Sequence, residues 1–329
     1  MRFFFGHEAY VTNRQAFFNG VNGPAHTTIG QLINRHHLAL SIGLTLLITL
    51  SYLVAIGLSA WPPVARLGKK FERGAKFAPA LIRIGVAAAL ILAAASHSIF
   101  GPELQLGDVT TGTTVLRLLL ILIGALLLAG LAVQPAAWLG LVLFFFMAFF
   151  WHTYLLTYLT YFGALMAILI MGGDVYTLDA KLRSTPISGS WLRRYQTQAI
   201  PIIRVCFGVA LIYTAITVKL LHPDLTVAVY NQYHLANFFH MNADYFVAGA
   251  GLVELLVGFC IVFGLALRWT LFLLLAMMTL ALLYFGEVVW PHLILYVLAI
   301  GLIISPKDRY TVDRWMKPYI DKILGRAQA

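Results

Sequence analysis

Apolar runs as long as a membrane crossing alternate with short polar segments along most of the chain. A hydrocarbon core needs about 20 apolar residues for each helical crossing. Nine candidate spans meet this condition: 38–60, 79–99, 115–133, 137–151, 154–172, 200–220, 246–265, 269–286 and 289–305. The runs are apolar on every side, whereas barrel strands alternate apolar and polar residues. The pattern therefore predicts an all-α polytopic membrane protein with about nine transmembrane helices.

The pattern also repeats within the chain. Residues 83–104 align without gaps on 204–225 at an offset of 121, and 174–179 align on 308–313 at an offset of 134. The chain is thus predicted to be one leading helix plus two four-helix bundles. Because four is even, the two bundles have the same orientation, as parallel repeats. The offsets differ by 134 minus 121, so the second bundle has 13 extra residues, which we place within 226–244 as a short amphipathic helix on the outer membrane surface.

These features predict five segments. An outer arm, the leading helix and a basic cytoplasmic loop occupy 1–78, and the first unit, a degenerate copy, occupies 79–179. A cytoplasmic linker at 180–198 leads to the second unit at 199–313, and 314–329 form a basic cytoplasmic tail.

Composition and charge placement narrow the class of protein and its orientation. The chain is 60% hydrophobic and 11% charged, which excludes a soluble globular protein. Its net charge of +10 comes mostly from 61–77, 173–198 and the residues after 306, so membrane topology explains the charge and no nucleic-acid partner is expected. By the positive-inside rule these segments are cytoplasmic. We expect a multi-pass protein of the cell (inner or plasma) membrane with its N-terminus outside, its C-terminus inside and no cleaved signal peptide.

Short motifs in the second unit resemble the DoxX/DoxD family of four-helix membrane proteins. The matching residues are Arg204, Lys219, Glu254-Leu-Leu-Val-Gly258, Gly264-Leu-Ala-Leu-Arg268 and Asp308. The first unit has Ser98, Leu120 and Gln134 where the second has Lys219, Glu254 and Arg268. The resemblance implies redox chemistry, since DoxD-like proteins are subunits of thiosulfate:quinone oxidoreductase and DoxX-like proteins associate with membrane oxidative-stress complexes. It implies no catalytic set that can be carried over.

A candidate quinone site lies at the outer mouth of the second bundle. Glu254 is an ionisable residue within a predicted span, and such residues mark proton relays or ligand sites. We assign it the role of proton acceptor. The predicted polar contacts and aromatic walls of the site are His240, Glu287, His292, Tyr213 and Phe239. The chain has no recognisable redox centre, so quinone chemistry requires an extracytoplasmic redox partner that supplies a metal, flavin or thiol.

Several alternatives stay open at this point. The chain can be a non-catalytic accessory or assembly subunit that contacts other subunits and the lipid bilayer. It can also handle copper, because all ten histidines fall at or near the predicted outer face and imidazole is a common copper ligand, although no specific metal site is predicted. His152, with Tyr158 and Tyr161, suits either a quinone contact or an ordinary aromatic belt at the membrane interface.

Overall fold

The computed structural model describes residues 50, 68, 70–108, 112–172, 176–182, 192, 194–305 and 308–316. In these residues the regular structure is helical, apart from one isolated bridge between Ser98 and Gln105. The all-α polytopic class is therefore confirmed. The predicted leading helix at 38–60 lies outside the described residues except for position 50.

The first unit contains four apolar helices in chain order. They are α1 Ala78–Ala95, α2 Thr113–Ala129, α3 Val133–Trp151 and α4 Leu159–Met171. Helix α2 ends at Gly130, whose φ of 68° is the left-handed conformation that commonly terminates helices. Helices α3 and α4 pack against each other, so the chain reverses between them through the 3₁₀ turns His152–Tyr158. The predicted span 154–172 therefore began too early, because its first residues belong to this reversal.

The second unit has the same order of helices with additions at one end. Helix α5 (Ala199–Thr214) continues as the π-helix Ala215–Leu220. Then come α6 (Pro223–Gln232), α7 (Ala236–Phe239), α8 (Ala243–Phe263), α9 (Leu267–Phe285) and α10 (Leu293–Ile304). The predicted insert is helical, but as two short helices, α6 and α7, where one was expected. The predicted span 200–220 is continuous, although its last six residues are π-helical.

Among the described residues, five helical segments are long and apolar enough to cross a membrane. They are Ala75–Ala95, Val133–Met171, Gln196–Leu220, Ala243–Phe263 and Leu267–Phe285. The shorter apolar helices Thr113–Ala129 and Trp290–Ile304 accompany them. The segment Val133–Met171 has 39 residues, enough for two crossings, which agrees with its reversal between α3 and α4.

The two ends of the bundle differ in composition. One end carries 96–108, 152–158, 221–242 and 286–292, and holds every histidine that the structure describes; we call it the histidine end. The opposite end carries the connections at 130–132, 176–182 and 264–266 and the residues 308–316; we call it the basic end.

The two units contact each other through equivalent helices. Helix α4 of the first unit packs on α5 of the second, and α10 of the second packs on α1 of the first. A Cβ on Gly163 would lie 2.5 Å from Cys206 Cβ, and a Cβ on Gly85 would lie 2.3 Å from a Val297 methyl carbon. Gly85 and Cys206 are 121 residues apart, and Gly163 and Val297 are 134 apart, so the two contacts join the same pair of aligned positions.

At the basic end of each unit, a buried arginine donates hydrogen bonds to three backbone oxygens. Arg83 donates to the backbone oxygens of Leu127, Leu128 and Tyr176, where Arg83 Nη2 lies 3.0 Å from Tyr176 O. In the second unit, Arg204 donates to the backbone oxygens of Ile261, Val262 and Tyr310. All three acceptors are offset by 134 residues. The guanidinium of Arg204 also pairs with Asp308, Nε to Oδ2 at 2.8 Å, and both side chains are almost fully buried.

A second repeated contact fixes the turn between the middle helices of each unit. The carboxylate of Asp179 accepts from the N–H groups of Ala132 and Val133, at 2.8 and 2.9 Å. The carboxylate of Asp313 accepts from Ala266 N–H at 2.9 Å. Each bond satisfies a helix N-terminus that follows a left-handed residue, so the same local structure holds both turns.

We predict that Arg204→Ala destabilises the protein by about 3–5 kcal/mol, because it leaves the Asp308 carboxylate buried without this cation. Arg268→Ala is the control, since its ion pair with Glu72 at 3.3 Å is part-exposed and its loss should cost only about 1 kcal/mol. Thermal unfolding of the detergent-solubilised variants measures the difference. Equal melting temperatures for the two variants would contradict a structural role for Arg204.

Candidate functional site

The carboxylate of Glu254 pairs with the ammonium group of Lys219. Glu254 lies in the middle of α8 and Lys219 in the π-helix Ala215–Leu220, and their side chains are 21% and 17% exposed. A charged group at this depth in a membrane helix is costly unless it is paired, and such pairs commonly serve transport of protons or binding of ligands. Glu254 is therefore an ion-paired carboxylate within a spanning helix; we name the two residues the intramembrane pair.

The π-helix determines where Lys219 points. A π-turn adds one residue relative to an α-turn, which rotates the residues that follow it, and such turns are frequent at functional sites. Leu221 N–H donates to Ile216 O at 2.9 Å, the five-residue spacing of a π-helix. The hydroxyls of Thr214 and Thr217 donate to the backbone oxygens four residues earlier, at 2.9 and 2.7 Å. The two hydroxyls thus donate to backbone oxygens next to and within the π-helix, where the regular α-helical hydrogen bonds are interrupted.

Close packing brings the two helices of the intramembrane pair together. Gly251 lies one turn before Glu254 on α8, and a Cβ there would be 3.1 Å from Lys219 Cβ and 3.0 Å from a Leu220 methyl carbon. A larger residue at this position would push α8 away from the π-helix. Gly251 thus permits the short contact between Lys219 and Glu254.

A second acid–base pair lies at the histidine end. Glu287 follows α9, His292 precedes α10, and His292 Nε2 lies 2.6 Å from Glu287 Oε2. The two were predicted to point into the outer mouth, and here they bond each other across the turn that contains Pro291. Tyr233, from the segment after α6, contacts the ring of Phe285 at 4.8 Å. Burial and the carboxylate of Glu287 raise the pKa of the Tyr233 phenol, so it stays a hydrogen-bond donor at neutral pH.

The remaining predicted site residues are less closely associated. Tyr213 is half-buried in α5, and its backbone oxygen accepts the Thr217 hydroxyl. Phe239 is 42% exposed and packs on Phe246 with ring centroids 4.7 Å apart. His240 is exposed, and its ring nitrogen Nδ1 lies 3.1 Å from Phe238 O. The His240 ring therefore bonds to a neighbouring backbone oxygen and not to the carboxylate of Glu254 or Glu287.

The first unit holds a buried carboxylate that sequence reasoning missed. Glu103, 1% exposed, lies in the loop between α1 and α2 and accepts hydrogen bonds from Tyr154 and Tyr158 hydroxyls, the former at 2.8 Å. A Cβ on Gly101 would overlap the Tyr158 hydroxyl, so the loop lies directly against that ring. The only sequence signal was an acidic residue in a predicted outer loop without Lys or Arg, which does not reveal burial.

Backbone geometry gives the histidines a structural reason to lie at one end. His97, His152, His234 and His240 have positive φ, between 42° and 56°, which histidine adopts more readily than most residues. These four occupy turns at the histidine end. Among the described residues, no group of three or more His, Cys, Asp or Glu side chains is arranged to hold a metal ion.

The intramembrane pair and Glu287 all fall within one stretch that is similar to a known family. Residues 199–287 match the DoxX family model. This stretch is DoxX-like, and the predicted resemblance is confirmed there. It includes the π-helix, the insert and helices α8 and α9. No curated protein and no solved structure matched the chain.

We predict that Glu254→Leu alone destabilises the protein by about 2 kcal/mol, because it removes the carboxylate that faces the Lys219 ammonium. The double variant Lys219→Ser/Glu254→Leu copies the residues at the aligned positions of the first unit, Ser98 and Leu120. It should recover most of the lost stability, since neither charge remains. Thermal unfolding in detergent measures both. A double variant less stable than Glu254→Leu would show that the two side chains do not stabilise each other.

Proposed function

We propose that the protein is an integral membrane subunit of a quinone-linked oxidoreductase and binds quinone near the outer leaflet. The observation that carries this proposal is the intramembrane pair Lys219–Glu254, which lies in the DoxX-like stretch. A chain that only filled space in the membrane would gain nothing from an ammonium and a carboxylate within its spanning helices.

The residues at the histidine end suit a quinone head group. A quinone presents two carbonyl oxygens and a flat ring, so it needs hydrogen-bond donors and aromatic or apolar surfaces. The protonated phenol of Tyr233 is one donor, and the exposed rings of Phe238 and Phe239 offer aromatic surface.

The proposed role of the intramembrane pair is to exchange protons with the bound quinone. Reduction of a quinone to a quinol takes up electrons and an equal number of protons. The electrons come from an extracytoplasmic partner that carries a thiol, flavin or metal centre. The Lys219 ammonium and the Glu254 carboxylate hold a proton between them, so the pair can deliver it to the quinone or, in the reverse direction, accept one from quinol.

We further propose that the histidine end faces outward from the cell membrane. The basic segments 61–77 and 173–198 then lie in the cytoplasm, as the positive-inside rule requires. The N-terminus is outside and the C-terminus inside in this arrangement.

One observation favours a non-catalytic accessory subunit as the second candidate. In α9, only 11% of the apolar stretch that could span the membrane is buried inside the structure. The corresponding share is 61% for the segment that contains α1. The large apolar side chains of α9, Leu280 and Leu283 among them, face outward. This surface suits lipid and equally suits contact with a further membrane subunit.

We predict that Glu254→Gln assembles normally but loses quinone-linked turnover, because Gln retains the size of Glu and cannot carry the titrating proton. Quinone reduction or oxidation in reconstituted membranes with the native partner is the measurement. Glu254→Leu should lose turnover as well. Wild-type rates in both variants would favour the accessory-subunit alternative.

A labelling experiment tests the orientation. Lys70→Cys and Asp108→Cys, each introduced after replacement of Cys206 and Cys260 by alanine, should react with a membrane-impermeant maleimide from opposite sides. We expect Asp108→Cys to react from outside and Lys70→Cys only after permeabilisation. Labelling of both from the same side would contradict the proposed topology.

A further inference from the structure

The imidazole of His222 is held in a defined tautomer at the end of the π-helix. His222 directly precedes α6, and its side chain is buried, with 6% of the residue exposed. Ring nitrogen Nδ1 lies 2.7 Å from the backbone oxygen of Thr217. A carbonyl oxygen only accepts hydrogen bonds, so in the neutral ring Nδ1 carries the proton. The other nitrogen, Nε2, therefore presents a lone pair and can only accept.

That lone pair has no hydrogen-bond partner among the residues that the structure describes. Nε2 of His222 and the hydroxyl of Thr226 are both fully buried, and neither bonds to another described residue. Buried polar atoms without partners cost free energy, and each such atom in a protein calls for an explanation. His222 is the residue that caps the start of α6 and Thr226 lies in the first turn of that helix, so the two atoms belong to the same end of α6.

The start of α6, which carries His222 and Thr226, belongs to a helix that packs on both elements of the intramembrane pair. Helix α6 packs against both α8 and the π-helix, which are the two elements that carry Glu254 and Lys219. His222 is three residues beyond Lys219 along the chain. A ligand group that reached these atoms from the histidine end would lie between the membrane surface and the intramembrane pair.

We propose that His222 and Thr226 form a subsite that binds a quinol hydroxyl, so that the protein binds the reduced form of its ligand in preference to the oxidised form. This inference rests on the proposed quinone function and names the redox form that the site recognises. A quinone oxygen only accepts hydrogen bonds and gains nothing from the Nε2 lone pair. A quinol hydroxyl donates to Nε2 and accepts from the Thr226 hydroxyl, which satisfies both buried atoms at once.

Both atoms of the subsite are inaccessible to solvent in this structure, so entry of the ligand requires a local rearrangement. The ring of Tyr230, one turn beyond Thr226, packs on Phe246 of α8, and its hydroxyl donates to Met241 O. These contacts hold α6 against α8.

Binding measurements with the full chain in nanodiscs test the proposal. The probes are a decyl-substituted benzoquinone and its hydroquinone, the latter kept reduced without oxygen. Wild-type protein should bind the hydroquinone several-fold more tightly than the quinone. Thr226→Val keeps the shape of the side chain and removes a hydroxyl that can donate to either redox form, so we expect about tenfold weaker hydroquinone binding.

The ligand-free stability of the same variant provides a second readout. Since the Thr226 hydroxyl is buried without a partner, Thr226→Val should melt at the same temperature as wild type or higher. His222→Asn keeps a donor near Thr217 O and removes Nε2, so it should abolish the preference for the hydroquinone. Thr214→Val is the matched control: its hydroxyl already donates to Ala210 O, and its loss should leave the affinity ratio unchanged.

Two results would overturn the subsite. Equal affinity of wild-type protein for both probes is one, and unchanged hydroquinone binding in Thr226→Val is the other; either would mean that the two buried atoms hold a water molecule only. If Glu254→Gln loses turnover while Thr226→Val binds as wild type does, the quinone function stands and the subsite falls. If wild-type protein binds neither probe, both fall. Should His222→Asn fail to fold, Thr226→Val still decides the question.

Discussion

A buried arginine at the basic end of each unit donates to the backbone oxygens at the end of one helix, which is α2 in the first unit and α8 in the second. The last carbonyl groups of any helix lack partners within it, and a bilayer interior offers no water to replace them. Arg204 supplies donors to Ile261 and Val262, and also to Tyr310 beyond the last helix. One side chain thereby connects the first, second and last helices of the unit, and Arg83 does the same in the first unit.

With the basic ends closed in the same way, the two units differ at the histidine end. In the first unit the loop between α1 and α2 is short, and its carboxylate, Glu103, is bound by two tyrosines. In the second unit the corresponding connection is longer, a π-helix precedes it, and Lys219 pairs with Glu254 below it. The first unit thus has a carboxylate bound by tyrosines at its loop, whereas the second has an ammonium–carboxylate pair between two of its helices. This difference places the proposed chemistry in the second unit.

Hydropathy predicted the spanning helices well because burial in lipid requires long apolar runs, but it could not predict how they end. The π-helix Ala215–Leu220 has the same apolar character as an α-helix, and only the spacing of its hydrogen bonds distinguishes it. The reversal at His152–Tyr158 is aromatic and apolar, so it resembled part of a span. Helix ends depend on local hydrogen bonds that an average over about 19 residues does not resolve.

The sequence predicted individual residues of the candidate site but not the contacts between them. Glu254 was predicted as a site residue, whereas Lys219 was noted only for the family resemblance. The two are 35 residues apart on different helices, and their pairing depends on packing at Gly251. The histidines at the histidine end suggested a metal, although four of them lie at positions with positive φ, a backbone feature that composition cannot reveal. Glu103 was missed because a loop position gave no reason to expect burial.

The central claim is that the Lys219–Glu254 pair exchanges a proton with a bound quinone, and infrared difference spectroscopy tests it most directly. Reconstituted protein with a short-chain quinone is reduced and reoxidised electrochemically, and the carboxyl C=O stretching region is recorded. We expect a reversible protonated-carboxyl band that is present in wild type and absent from Glu254→Gln. A quinone signal without any carboxyl band in the wild type, or the same band in Glu254→Gln, would contradict a role for the pair in proton exchange.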